Sequence, residues 1–205
     1  MYWQPAIETM ARSDLTQLQT RRLQQQLERA AAAPFYQRLW HGKPAHLRDL
    51  PFLQKHDLIA AQLRDPPVGD LPLSPKEQWR EVYPVQVAGG SLYTVYADAD
   101  LTRSSEVGAR ILYGAGLRPG DVLHNGFPYG LFAGGIFIHR AAKHLGATVV
   151  PIGTDSVQRQ VEFLFNFKPA MLVGAPSHVL YLAERILERG LLPRDIGLKA
   201  GLFGA

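Results

Sequence analysis

Leu15, Leu18, Leu23 and Leu27 keep to one broad face of a 3.6-residue period, and the pattern predicts a helix from Ser13 to Ala33. Ser13 is the expected cap, Asp14 suits the first turn, and Pro34 ends the run. The aromatic-rich segment from Phe35 to Trp40 predicts a short helix that packs on the first as a hydrophobic clasp. Breakers at Pro44, Pro51, Pro66, Pro67 and Pro72 predict loops from His41 to Pro75, with one short helix near Lys55 to Leu63. Two β-prone runs, Glu81 to Val87 and Ser91 to Tyr96, are joined through Ala88-Gly89-Gly90, which predicts a hairpin.

From Asp98 onward the pattern alternates between helical and extended periods. Helices are expected at Asp100 to Gly114, Ala133 to Leu145, Ser156 to Phe165 and Ser177 to Arg189. Strands are expected at Asp121 to Asn125, Ala147 to Ile152, Ala170 to Gly174 and Leu198 to Phe203. The runs Thr148-Val149-Val150-Pro151-Ile152 and Met171-Leu172-Val173-Gly174 are apolar on both faces, as strands covered by helices on both sides are. The fold class expected is α/β. A helical and loop-rich segment (1–80) and a hairpin (81–97) precede βαβ units forming a parallel sheet (98–205). The loops after Asn125, Ile152, Gly174 and Phe203 should meet at the carboxyl edge, where such sheets carry ligands. The last strand receives no helix, so the sheet is expected to be incomplete there.

Composition narrows the class. The 205 residues are 46% hydrophobic and 20% charged, near globular averages, which speaks against a disordered tail or a membrane protein. No apolar run approaches the roughly 18 residues a spanning helix needs, and Met-Tyr-Trp-Gln-Pro is not a secretion signal, so a cytoplasmic location is expected. The lack of cysteine removes disulfides, thiolate nucleophiles and Cys-type zinc sites together. A net charge of +4 invites nucleic acid, but Arg21-Arg22 is the only adjacent basic pair, and dispersed charge reads as solvated surface.

The candidate chemistry concentrates after Asn125. Phe127, Tyr129 and Phe132 place three rings around a strand-to-helix loop in which Gly130, Gly134 and Gly135 permit a tight turn and close packing. Such a loop either lines an apolar pocket for a flat organic molecule or packs into the core. His139 and His144 are five apart, off the spacing that shares a helix face, and no metal site is expected. His124, at a strand end, suits packing or hydrogen bonding better than acid–base work. Ser177 after Pro176 resembles a helix cap, and no Ser-His-Asp arrangement is readable.

The same stretch resembles the phenylacetate-CoA ligase family of adenylate-forming enzymes. The match runs in order through Arg118-Pro119-Gly120-Asp121, His124-Asn125, Tyr129-Gly130-Leu131-Phe132, Gly134-Gly135, His139, Leu145-Gly146-Ala147 and Val149-Val150-Pro151. The opening (Tyr2-Trp3, Pro5, Ile7-Glu8, Met10) and Leu50-Pro51-Phe52 with Lys55 and Asp57-Leu58 also resemble it. So do Arg159-Gln160, Pro176-Ser177, Leu180 to Glu184 and Leu202-Phe203-Gly204-Ala205, which extends the resemblance over nearly the whole chain, as the N-terminal part of a family member.

The resemblance implies a two-step reaction in phenylacetate catabolism. A carboxylate attacks ATP to give an acyl-adenylate and pyrophosphate, and coenzyme A then displaces AMP, so ATP with Mg and CoA are the family's cofactors. It implies Phe127 and Phe132 as substrate-side residues, Tyr129 and Gly130 as shapers of the turn, and Gly204 and Ala205 as the start of a segment beside the nucleotide. Where the family carries a Ser-Ser-Gly-Thr-Thr-Gly phosphate loop and a basic residue, this chain reads Pro84-Val85-Gln86-Val87-Ala88-Gly89-Gly90-Ser91, with no Lys or Arg between Arg80 and Arg103. A phosphate cradle needs amides, hydroxyls and a cation. Gly89, Gly90 and Ser91 are therefore expected to be a vestige of it, formed as a hairpin turn. Family members run to about twice this length, and the remainder would supply the metal-binding acid and catalytic lysine. No catalytic residue or metal ligand is thus expected here, and turnover should be negligible. Three readings follow. The chain is an acid-binding half that needs a C-terminal half-ligase polypeptide, a non-catalytic module for an aryl acid or a protein, or an incomplete product. A homodimer is left open; nucleic acid and membrane are not expected partners.

Overall fold

The computed structural model describes residues 2–40, 42, 44, 46–87, 90–130 and 133–204. Two compact units form, one of residues 5–100 and one of residues 1–4 with 101–205.

In the first unit α1 (Pro5–Glu8) leads to α2 (Arg12–Ala31) and α3 (Pro34–Trp40). The expected cap is corrected. The helix starts before Ser13, Ala11 holds the cap position without a side-chain bond, and the Ser13 hydroxyl reaches only Asp14, at 3.4 Å. Pro34 both ends the first run and opens the next helix, where its missing N–H is harmless. The clasp is present: Tyr36 lies edge-on to Phe35 at 5.1 Å and tilted to Trp40 at 4.9 Å, and α2 buries Leu27 and Ala30 while Leu23 stays exposed.

Helix α4 (Lys55–Arg64) starts where the Gln54 N–H donates to Asp57 Oδ2 at 2.9 Å. It lies against an antiparallel hairpin of β1 (Trp79–Val87) and β2 (Gly90–Ala97), whose ladder runs from Glu81 opposite Tyr96 to Val87 opposite Gly90. Gln62, though polar, is buried because its amide behaves like a strand residue. Nε2 donates to the Tyr93 carbonyl at 2.8 Å and Oε1 accepts from the Tyr93 N–H at 3.2 Å.

The second unit follows from α5 (Asp98–Gly114), whose first three residues belong to the first. It continues β3 (Val122–Asn125), α6 (Ala133–Leu145), β4 (Thr148–Val150), α7 (Val157–Phe167), β5 (Met171–Gly174), α8 (Pro176–Glu188) and β6 (Ala200–Phe203). The strands form one parallel sheet in the order β4-β3-β5-β6, so the expected βαβ architecture is present. All four strands are shorter than the pattern predicts, β4 and β6 the most. The β4 ladder ends after Val150, where the Asn125 carbonyl accepts from the Gly153 N–H, and Gly197, at φ +84°, precedes the start of β6.

Because side chains alternate along a strand, the sheet has two cores. Leu123, Met171 and Val173 face Ala109 and Leu112 of α5 and Ile138, Ala141 and Leu145 of α6. Leu172 faces Val161 and Leu164 of α7 and Leu182 and Ile186 of α8. Each fully buried leucine contributes about 2 kcal/mol relative to exposure. On the first face α5 and α6 approach so closely that a Cβ on Gly108 would stand 2.5 Å from the Ala141 Cβ. Trp3 joins this core beside Tyr113, with ring centres 5.9 Å apart, and Gln4 bonds Arg110.

Candidate functional site

The chain leaves β3 toward β4 on one side and leaves β5 toward β6 on the other. Their adjacent carboxyl ends are therefore a topological switch point, the place where such sheets open a crevice. The backbone ties the strand-end loops together there. The Gly126 N–H donates to the Val173 carbonyl at 2.9 Å, Gly153 to Asn125 at 2.9 Å and Gly204 to Gly174 at 3.2 Å.

Asn125, fully buried at the end of β3, organises the loop that follows. Its Nδ2 donates to the Gly135 carbonyl at 2.8 Å and to the Tyr129 hydroxyl at 2.6 Å, while Oδ1 accepts from the Phe127 N–H at 3.2 Å. The Tyr129 hydroxyl in turn lies 3.1 Å from His139 Nδ1, the two rings meeting edge to face at 5.7 Å. Gly135 makes the arrangement sterically feasible, since a Cβ there would stand 2.3 Å from the Pro128 carbonyl oxygen. Burial pushes the Tyr129 phenol up to about 12, opposed by the Asn125 bond, so the hydroxyl keeps its proton. Burial first, then Lys143 and Arg140, hold His139 below the usual imidazole range.

Tyr129 and His139 form one end of an open cleft of about 630 Å³, completed by Ser105, Ile136, Arg140, Lys143 and His144. The expectation that His139 and His144 would not share a surface is corrected: although five apart, both line this cleft, because its wall spans a wide arc of α6. Among the described residues no three His, Cys, Asp or Glu side chains converge as a metal site would require. No helix there is long and apolar enough to cross a membrane.

Of the residues singled out on the aryl side, Tyr129 reaches the cleft. Phe127 packs against the main core, Gly130 is exposed with open space around it, and Phe132 lies outside the described residues. Of those on the nucleotide side, Gly89 and Ala205 also lie outside them. Gly90 and Ser91 stand in ladder register with Val87 and Gln86, and the Gly204 N–H is taken by the Gly174 carbonyl. Arg80, the nearest cation in sequence, is committed to Asp98 Oδ2 at 2.8 Å and to the carbonyls of Glu77 and Trp79. At Gly90 and Ser91 the expected vestige of a phosphate loop is a paired ladder, and the neighbouring Arg80 is already engaged.

His124 faces the α7 and α8 side, opposite Leu172, fully buried and with neither ring nitrogen hydrogen-bonded within the described residues. Burial lowers it to about 4, helped by His178 and opposed by Gln160. Gln160 is itself buried and meets His178 Nε2 at 3.0 Å. Sequence reasoning passed over Asn125 as an organiser. Its one signal was a polar amide closing an apolar strand at the carboxyl edge.

The fold is that of part of an adenylate-forming ligase. A 2-hydroxyisobutyryl-CoA ligase, solved in an open conformation with 2-HIB-AMP and CoA, superimposes with a TM-score of 0.91 at 32% identity, covering 100% of this chain and 50% of that one. Within that class the sequence is related to the phenylacetate-CoA ligase family. The Thermus thermophilus enzyme of that name is 36% identical over 100% of this chain, and the Escherichia coli one 35% identical over 97%. The chain spans about half the length of these curated relatives, 47% in each case. No protein-family model matches it.

Proposed function

We propose that the chain is the carboxylate-binding portion of a phenylacetate-CoA ligase-like enzyme and does not carry out the reaction alone. In the full reaction an aromatic or other small carboxylic acid, ATP and CoA would give acyl-CoA, AMP and pyrophosphate. The acid would be held beside the loop of Phe127, Tyr129, Gly130 and Phe132. The ATP and Mg chemistry would depend on groups beyond these residues, in a C-terminal half-ligase. One observation carries the reading: the described residues where the resemblance calls for a phosphate loop, 84–87 and 90–91, pair in a hairpin ladder, and the neighbouring cation, Arg80, is already paired. Preorganised charge at the transferring phosphoryl group is where such catalysis gains most of its rate. The same observation supports a second reading, a non-catalytic module that binds an aryl acid or a protein.

Isothermal titration with phenylacetate and with MgATP, followed by AMP release on adding a C-terminal half-ligase, tests both. Binding of the acid without MgATP, then AMP release on complementation, supports the first reading, and acid binding without rescue supports the second. Pyrophosphate released from ATP by the isolated chain would refute both. A stabilisation of the melting temperature by MgATP would count against the second.

A further inference from the structure

The hydrogen bonds around Asn125 have a direction that can be deduced from their ends. A backbone carbonyl only accepts, so the group facing Gly135 must be the amide nitrogen of Asn125. A backbone N–H only donates, so the group facing Phe127 must be its oxygen. With the side chain fixed at both ends, Nδ2 spends its second hydrogen on the Tyr129 oxygen. The phenolic hydrogen is then left to point at His139 Nδ1, which must accept. A neutral imidazole accepting at Nδ1 carries its proton on Nε2. That nitrogen has no protein partner within the described residues, and His139 is part of the cleft wall.

The charged groups around it share one sign. Lys143 and Arg140, the charges acting on His139, occupy the same wall, and among the described residues no carboxylate lines the cleft. Ile136 and the Tyr129 ring add apolar surface to the lining. An N–H donor of fixed orientation beside two cations favours a ligand that brings acceptors and negative charge. We propose that the cleft over α6 is an oxyanion-binding site in which His139 donates from Nε2 to a carboxylate or phosphate oxygen, with Asn125 and Tyr129 as its positioning residues and Lys143 and Arg140 as its countercharges. The proposal does not rest on the ligase reading, since it requires no ATP, CoA or turnover.

Nuclear magnetic resonance of the intact 205-residue chain tests it in two stages. Long-range proton–nitrogen correlation at neutral pH should find His139 with a protonated Nε2 and a bare Nδ1. In Tyr129→Phe the preference should give way to a mixture of tautomers, whereas a purely structural Tyr129 would leave it unchanged. Because Asn125 is buried and its variants endanger folding, Tyr129→Phe carries this stage. A wild-type His139 protonated at Nδ1 overturns the proposal. The second stage titrates sodium benzoate and inorganic phosphate separately against the chain at constant ionic strength, with sodium chloride as the control. Saturable shifts at His139 and His144 with either probe, weakened about tenfold in Lys143→Gln, support the site. Saturation by benzoate alone assigns a carboxylate ligand, and by phosphate alone a phosphoryl ligand. Shifts that chloride reproduces, or that survive unchanged in Lys143→Gln, overturn it.

Discussion

Lowering the pH should destabilise the sheet unit through one side chain. His124 closes no hydrogen bond of ordinary geometry at either ring nitrogen among the described residues and has no exposure to water, so a proton there would be a buried charge that the nearby Gln160 side chain only partly offsets. Its value falls from 6.5 to about 4 in the folded protein, with burial as the main cause. A depressed imidazole means that the unfolded chain takes up the proton first. The associated stability is fully present above pH 6.5 and is lost as the pH falls from there to about 4. Each unit corresponds to about 1.4 kcal/mol, so the total is on the order of 3 kcal/mol, a large share of a typical domain's stability. Urea unfolding of wild type and His124→Leu at half-unit steps from pH 8 to 4 would measure it. The variant should show a flatter profile. It should also lose little at neutral pH, because neither ring nitrogen closes a hydrogen bond of ordinary geometry and Gln160 keeps its bond to His178. His139 is displaced in the same direction, so the difference between the two profiles isolates His124. Parallel profiles, or a His124 resonance that titrates near the ordinary value, would refute the reasoning.

Other substitutions test other parts of the structure. Gly108→Ala would press a methyl group against the Ala141 Cβ, 2.5 Å away, and should cost about 1–3 kcal/mol in urea unfolding by forcing α5 and α6 apart. Gln62→Ala removes both amide bonds to Tyr93, and should cost about 1–3 kcal/mol with faster hydrogen exchange at the Tyr93 amide. Gly135→Ala would drive a Cβ into the Pro128 carbonyl, 2.3 Å away, and should displace the aromatic loop, seen as widespread amide shifts from Gly126 to Gly130 with the sheet core unmoved.

The parallel sheet was legible because its strands are short, β4 and β5 are almost wholly apolar, and each intervening helix repeats its hydrophobic positions at a helical period. Boundaries were less so, since they depend on single residues in their spatial setting. β4 ends at Val150 because the Asn125 carbonyl, next along the ladder, accepts from the Gly153 N–H, and Ser13 lost its expected capping role because α2 begins before it. The site was legible in its residue types and not in their partnerships. Tyr129 and His139 are ten positions apart and meet only because α6 turns back over the loop, and Asn125 joins them from the strand below. Phe127, read as either pocket or core, packs against the core. The polar trio of His124, Gln160 and His178 comes from three elements whose contact no spacing encodes.

The side chain of Gln62 grips both backbone polar groups of a single residue of β2, and this has a consequence for how the ribbon tolerates change. A two-stranded ribbon is otherwise free to slip, and a slip of one position would turn every side chain over. The helix works as a peg that fixes the strand's address along its own length. Insertions or deletions at the far tip, between Val87 and Gly90, should therefore alter the size of the turn without sliding the pairs near Tyr93.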